Sequence, residues 1–242
     1  NILVKVSPWF FALLAPVVFA LPWLINKSLA FNARMTSYRN LRLSFRGSYW
    51  RCFWVYVCLP ALALLSLGLL APFAARARSR YLGDNLSYGG APFKCHPGLG
   101  SYYWLLLTTI ALGFCMIAPL GIIWIASSMP RAGRSVETML SLASWFGWIF
   151  YLIVVICFTF YRVGARNIFI NALQLGDSHR FASTISRVEF IWITISNIIV
   201  VAFTFGLMRP WAAVRSWRYT SEHIALVTAM SFDDFVGAAS AG

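Results

Sequence analysis

The chain has 242 residues, 60% hydrophobic and 17% aromatic against 11% charged, with a formal net charge of +13. So few charges exclude an ordinary soluble domain, in which about a quarter of residues are charged. The excess of Lys and Arg does not signal a nucleic-acid partner, because these residues fall in loops between apolar runs rather than on one polar face.

Five charge-free apolar runs follow one another, at residues 6–25, 52–75, 98–129, 138–161 and 190–208. Each approaches or exceeds the about 20 residues needed to cross a hydrocarbon core about 30 Å thick. Trp9 and Trp23 bracket the first run, which reads as the opening helix of a repeat rather than a leader: it matches the fourth run at an offset of 139, with Trp9 on Trp148 and Asn32 on Asn171. The basic loop that follows alternates Leu41, Leu43 and Phe45 with Arg42, Ser44 and Arg46. That period predicts a short surface strand, pairing with the segment from Tyr88 to Phe93 through a turn at Gly89 and Gly90.

The second run, headed by Trp54 and broken by Pro60, ends in Gly68-Leu69-Leu70-Ala71-Pro72-Phe73-Ala74-Ala75 and a basic cluster of Arg76, Arg78 and Arg80 with Tyr81. The third run links two halves, and the fourth opens the second half. The fifth run, headed by Trp192 and carrying Ser196-Asn197 at its centre, ends in Gly206-Leu207-Met208-Arg209-Pro210-Trp211-Ala212-Ala213, then Arg215, Arg218 and Tyr219. From Gly68 and Gly206 onward, seven of fourteen positions match at a constant offset of 138. Tryptophans at the run ends match the interfacial belt of a membrane protein.

The fold read from this pattern is an all-α polytopic membrane protein. It forms a single integral membrane domain over residues 1–242, with about five membrane segments in two repeats at about 5–93 and 144–232, a linking helix at about 98–129, and short surface β-strands in the basic loops. If all five runs span, the repeats are inverted and the twenty basic residues divide eleven to nine. If the second and fifth runs are re-entrant, turning near Pro60 and near Ser196-Asn197, seventeen lie on one side, in accord with the positive-inside rule. Both arrangements put the C-terminus in the cytoplasm. Thiol labelling at Cys95 against a Cys introduced at Ser37 would separate them.

The two basic clusters, Arg76, Arg78, Arg80 and Tyr81, and Arg215, Arg218 and Tyr219, read either as sites for anionic lipid headgroups or a membrane partner, or as charges that set topology. Gly68, Pro72, Gly206 and Pro210 read as a repeated bend, with Pro60 as a further break. Asn197 is either a midplane polar site or an interhelical hydrogen-bonding residue. Cys52, Cys58, Cys115 and Cys157 lie within or beside apolar runs and Cys95 in a loop, which is no disulfide framework. His96, His179 and His223 stand in loops without ligand spacing, so no metal, cofactor or catalytic group is expected.

Residues 32–39 (Asn-Ala-Arg-Met-Thr-Ser-Tyr-Arg), the Leu67-Gly68-Leu69 and Pro72 block, Arg80-Tyr81, Phe205-Gly206-Leu207 with Pro210-Trp211-Ala212, and the closing Ser231-Phe232-Asp233-Asp234-Phe235 resemble the YjgN-like family of uncharacterised bacterial inner-membrane proteins. The resemblance implies an inner-membrane location, a further copy of the Gly-x-x-x-Pro-Trp-Ala block upstream of these residues, and no assigned activity. The expected function is that of a non-enzymatic accessory or scaffold subunit contacting lipids and other membrane protein subunits. The alternative is a channel or transporter built between the two repeats.

Overall fold

The computed structural model describes residues 8–38, 41–128, 136–176 and 179–228. Lys5, Arg39, Arg131 and Arg134 of the charge count, and the segment 231–235, lie outside the described residues. The chain divides into two units, Asn1–Tyr102 with Phe169–Ala182 and Leu226–Gly242, and Tyr103–Ile168 with Ser183–Ala225.

Helix α1 (Pro8–Met35) opens the first unit. Among the described residues, seven short strands stand in chain order in one sheet: β1 (Ser37–Tyr38), β2 (Leu41–Phe45), β3 (Leu86–Tyr88), β4 (Ala91–Cys95), β5 (Leu173–Leu175), β6 (His179–Ser183) and β7 (Ile224–Thr228). The alternating segment 41–45 is β2, and it pairs antiparallel with β3, Leu43 opposite Tyr88. Gly89 and Gly90, at φ 54° and 86°, turn β3 into β4 with left-handed backbone that a side chain would oppose. Beta4 then pairs with β5, Phe93 opposite Leu175 and Cys95 opposite Leu173. Because side chains alternate along a strand, Phe93 and Cys95 are buried while Pro92 and Lys94 are exposed. Tyr88, Phe93, Cys95, Leu173 and Leu175 form one buried cluster, and Ala33, Phe45, Cys52 and Tyr81 a second.

The second run forms one apolar helix, Tyr49–Leu65, built from α2 (Tyr49–Phe53), a π-helical segment (Trp54–Cys58) and α3 (Leu59–Leu65). Pro60 does not turn the chain. Proline removes one helical donor and crowds the preceding turn; here the π segment lies just before it, and Leu59 N–H donates to Trp54 O, five residues back. After a turn the chain returns as α4 (Ala71–Asp84). In the second unit, α5 (Leu99–Ser128) and α6 (Val136–Asn171) pack through Trp124 against Phe146, with ring centroids 4.7 Å apart. Helices α7 (Arg187–Phe203) and α8 (Arg209–Glu222) follow. Tyr49–Leu65 with Ala71–Asp84, and Arg187–Phe203 with Arg209–Glu222, stand at the same offset of 138 residues.

This corrects the all-α, five-segment reading. The protein carries a β-sheet, and among the described residues two helices are long and apolar enough to cross a membrane, Leu99–Ile125 and Ser144–Asn171, with mean hydropathy 2.2 and 1.9. The second and fifth runs fall short because each is cut by a turn inside the repeated block. What reads as one uninterrupted apolar stretch is a helix, a left-handed turn and the start of a second helix.

Candidate functional site

The two turns share one backbone. Leu67 and Gly68 have φ 51° and 88°, Phe205 and Gly206 φ 49° and 90°. Gly68 N–H donates to Ala63 O at 2.7 Å and Leu67 N–H to Leu64 O at 3.1 Å; Gly206 N–H donates to Val201 O at 2.8 Å and Phe205 N–H to Ala202 O at 3.2 Å. These are the paired bonds of a Schellman helix end, in which the first left-handed position ordinarily falls to Gly or Asn. Here it holds Leu67 and Phe205, 96% and 98% exposed. A left-handed conformation costs an L-residue roughly 1–2 kcal/mol, so each turn keeps an apolar apex at a conformational cost. Pro72 and Pro210 then occupy the first helical turn of α4 and α8, where a missing N–H is harmless.

In the first hairpin the predicted basic cluster divides. Arg76 Nε donates to Pro97 O at 3.0 Å, and the Arg78 guanidinium lies 5.1 Å over the Tyr56 ring. Arg78 and Arg80 are exposed. Tyr81 is a core residue instead: its hydroxyl donates to Asn26 Oδ1 and lies 3.3 Å from Ser48 O, just before the outgoing helix. Burial pushes its phenol pKa above the ordinary range, and the nearby Cys52 adds to the shift.

The second hairpin closes in the same sense. Tyr219 Oη donates to Glu189 Oε2 at 2.6 Å and accepts from Ser186 N–H at 3.3 Å, at the N-cap of α7. Asn197 is buried, and its amide donates to Ala212 O at 3.2 Å and to Ser216 Oγ at 3.0 Å. Arg215 donates to Ser196 Oγ at 2.7 Å and to Asn197 Oδ1 at 3.2 Å, and stacks over Trp211 at 5.4 Å. Arg215 and Asn197 thus tie α7 to α8, while Arg218 is exposed.

A cavity of about 720 Å³ opens between α6, α7 and α8, reaching Arg162 and Arg166 at one end and Arg209 near the apex. Arg166 Nη1 donates to Thr220 Oγ1 at 3.2 Å. Hydropathy does not single out Arg162 and Arg166, because the charge-free fourth run ends at residue 161 and leaves them in the following basic segment. They lie inside α6, four residues apart on one helix face. Their spacing, together with the apolar Val163 and Ile170, was the available signal.

Asp84 Oδ1 accepts from Cys95 N–H at 2.9 Å, as Glu189 Oε2 accepts from Tyr219 Oη. Cys95 is fully buried, and its thiol pKa is pushed up to about 12, mainly by burial and further by Asp84. It is therefore unsuited to solution labelling. Among the described residues, no group of three or more His, Cys, Asp or Glu could hold a metal ion.

A family described as bacterial protein of unknown function (DUF898) matches residues 1–242. The chain is similar to the inner membrane protein YjgN of Salmonella typhimurium, 22% identical over 251 residues that cover 84% of this chain and 63% of that protein. The chain thus spans just under two thirds of that relative's length. No solved structure matches significantly.

Proposed function

The chain belongs to the DUF898 family, and from that premise we propose that it is an integral protein of the bacterial inner membrane that acts as a non-enzymatic accessory or scaffold subunit. In this reading α5 and α6 cross the bilayer, each helical hairpin enters and leaves on the face where it begins, and the C-terminus is cytoplasmic. Arg78, Arg80 and Arg218 meet anionic headgroups or a membrane partner, each basic residue contributing about 1 kcal/mol near an anionic leaflet.

The observation that carries this reading is the apex itself, where Leu67 and Phe205 hold left-handed backbone and expose almost their whole side chains. In water such an apex has conformational strain and exposed apolar surface together; in lipid the surface is an advantage. The course of α7 supports it. Arg187 lies over Phe160 at 4.7 Å, and Phe190 and Thr194 share a smaller cavity with Val154, Val155 and Arg162. The first turns of α7 thus lie against α6, and its 17 residues would carry the apex roughly 25 Å along the α7 axis from that level. The matching offsets of the two hairpins support a duplicated unit. Asn197 lends no weight to a channel, because its polar groups are bonded within its own hairpin.

The test is depth. A single-cysteine variant carrying Phe205→Cys and a fluorophore, reconstituted in bilayers, is expected to be quenched by spin labels on lipid acyl chains. Quenching by aqueous iodide alone would overturn the re-entrant reading.

A further inference from the structure

Two cavities meet at Arg162. The larger runs between α6, α7 and α8, and its lining includes Arg162, Arg166 and Arg209 with no Asp or Glu among its described residues. Such a site repels cations and favours an anion. Thr194, Ser216 and Thr220 add hydroxyls to the same wall. The smaller, about 260 Å³, shares Arg162, Phe190 and Thr194 with it and continues along α6 past Thr159 and Phe158 to Val155 and Val154. From Arg162 to Val154 is about 12 Å of helix, all of it inside the long apolar span Ser144–Asn171. Basic groups at the polar end of a span, with an apolar groove leading from them toward its middle, match the two ends of one amphiphile.

We propose that this α6–α7–α8 cavity binds an anionic phospholipid, with its phosphate held by Arg162 and Arg166 and an acyl chain lying in the groove of Val154, Val155 and Phe158. Arginine suits the task because its planar, multi-donor head meets phosphate oxygens in pairs. Arg166 is held in place by Thr220 and Arg162 is exposed at the mouth, so one arginine is preset and the other is free to close on the headgroup. The proposal rests on the membrane reading above and names the lipid class and the residues that select it.

The experiment is native mass spectrometry of the full chain in detergent, titrated with phosphatidylglycerol, phosphatidylcholine or inorganic phosphate. The wild type is expected to retain phosphatidylglycerol over phosphatidylcholine. Joint substitution Arg162→Gln and Arg166→Gln is expected to weaken that retention more than tenfold, while Arg162→Lys with Arg166→Lys, which keeps the charges but loses the paired donors, weakens it by less. Arg42→Gln, on strand β2, is expected to change nothing. Val155→Trp, which fills the groove, is expected to weaken lipid retention without touching the arginines. A thermal melt of each variant identifies any that fails to fold, and the lysine pair then carries the comparison. Equal phosphatidylglycerol retention by the folded glutamine pair would overturn the proposal. So would binding of inorganic phosphate that Val155→Trp leaves intact, with no lipid retained, which would assign the arginines to a soluble anion. Failure of the protein to fractionate with membranes would sink the membrane reading; membrane insertion with unselective lipid retention would sink this proposal alone.

Discussion

The hydroxyl of Tyr219, on α8, donates a 2.6 Å hydrogen bond to the carboxylate of Glu189, on the first turn of α7. The bond joins the end of the returning helix to the start of the outgoing one, closing the hairpin at its base. Tyr81 makes the corresponding closure against Ser48 O and Asn26.

Tyr219→Phe removes one hydrogen bond to a carboxylate at a partly exposed site and is expected to cost about 1–2 kcal/mol. Tyr81→Phe is expected to cost at least as much, because Tyr81 is buried and its loss leaves Asn26 Oδ1 without that donor. Thermal unfolding of the detergent-solubilised variants checks the order.

Gly206→Ala places a Cβ on backbone at φ 90°, with Arg209 Cδ at an ordinary contact distance of 3.9 Å, so its cost is conformational, about 1 kcal/mol. Phe205→Gly relieves the neighbouring left-handed residue and is expected to be neutral or stabilising in detergent. A loss of stability with Phe205→Gly in detergent would show that the Phe205 ring, 98% exposed here, packs against something in the folded protein.

Cys95 is expected to be alkylated at pH 8 only after unfolding, in a variant that keeps no other cysteine. With its thiol raised from 9.0 to about 12, the folded protein holds about a thousandfold less thiolate than an ordinary cysteine would. The native state binds this proton more tightly than the unfolded chain does, so its stabilising effect is complete below pH 9 and is lost as pH rises from 9 toward 12. Replacing Cys95 with Ala is expected to flatten that alkaline loss in a pH series of unfolding curves.

Asn197→Leu introduces the residue found at the matching position of the first hairpin, Leu59, which is buried there. In the second hairpin it deprives Arg215 of one acceptor and Ser216 of one donor, and about 1–3 kcal/mol of stability should go with them. Adding Arg215→Ala is expected to cost less in that background than in the wild type, a coupling of about 1 kcal/mol in a double-mutant cycle.

Much of this was legible in the residues. The offset of 138 located both hairpins, and the alternation at Leu41, Leu43 and Phe45 located a strand. The left-handed turns fall at Leu67-Gly68 and Phe205-Gly206, while Pro72 and Pro210 lie in the first turn of the helices that follow and Pro60 lies within a helix that continues. The site was less legible. Tyr81 looked like a headgroup residue because it follows three arginines, yet it faces inward: position along a helix does not say which face meets a neighbour. Arg162 and Arg166 looked like loop charges because hydropathy ends where charge begins, whereas a helix continues as long as its backbone bonds do.

The sequence by itself determined that this chain is built of long apolar stretches closed by basic ends, and that the Gly-Leu-x-x-Pro-aromatic-Ala-Ala block recurs at an offset of 138, because composition and recurrence are properties of order alone. Only the tertiary structure decided where each stretch turns. A Gly beside an apolar residue at a helix end is compatible with a continuing helix or with a left-handed turn, and the choice falls to the Tyr81 and Tyr219 hydrogen bonds that draw the two arms together at their base. The doubled block is therefore the apex of a hairpin, and the arginine cavity beside the second copy exists because α8 comes back.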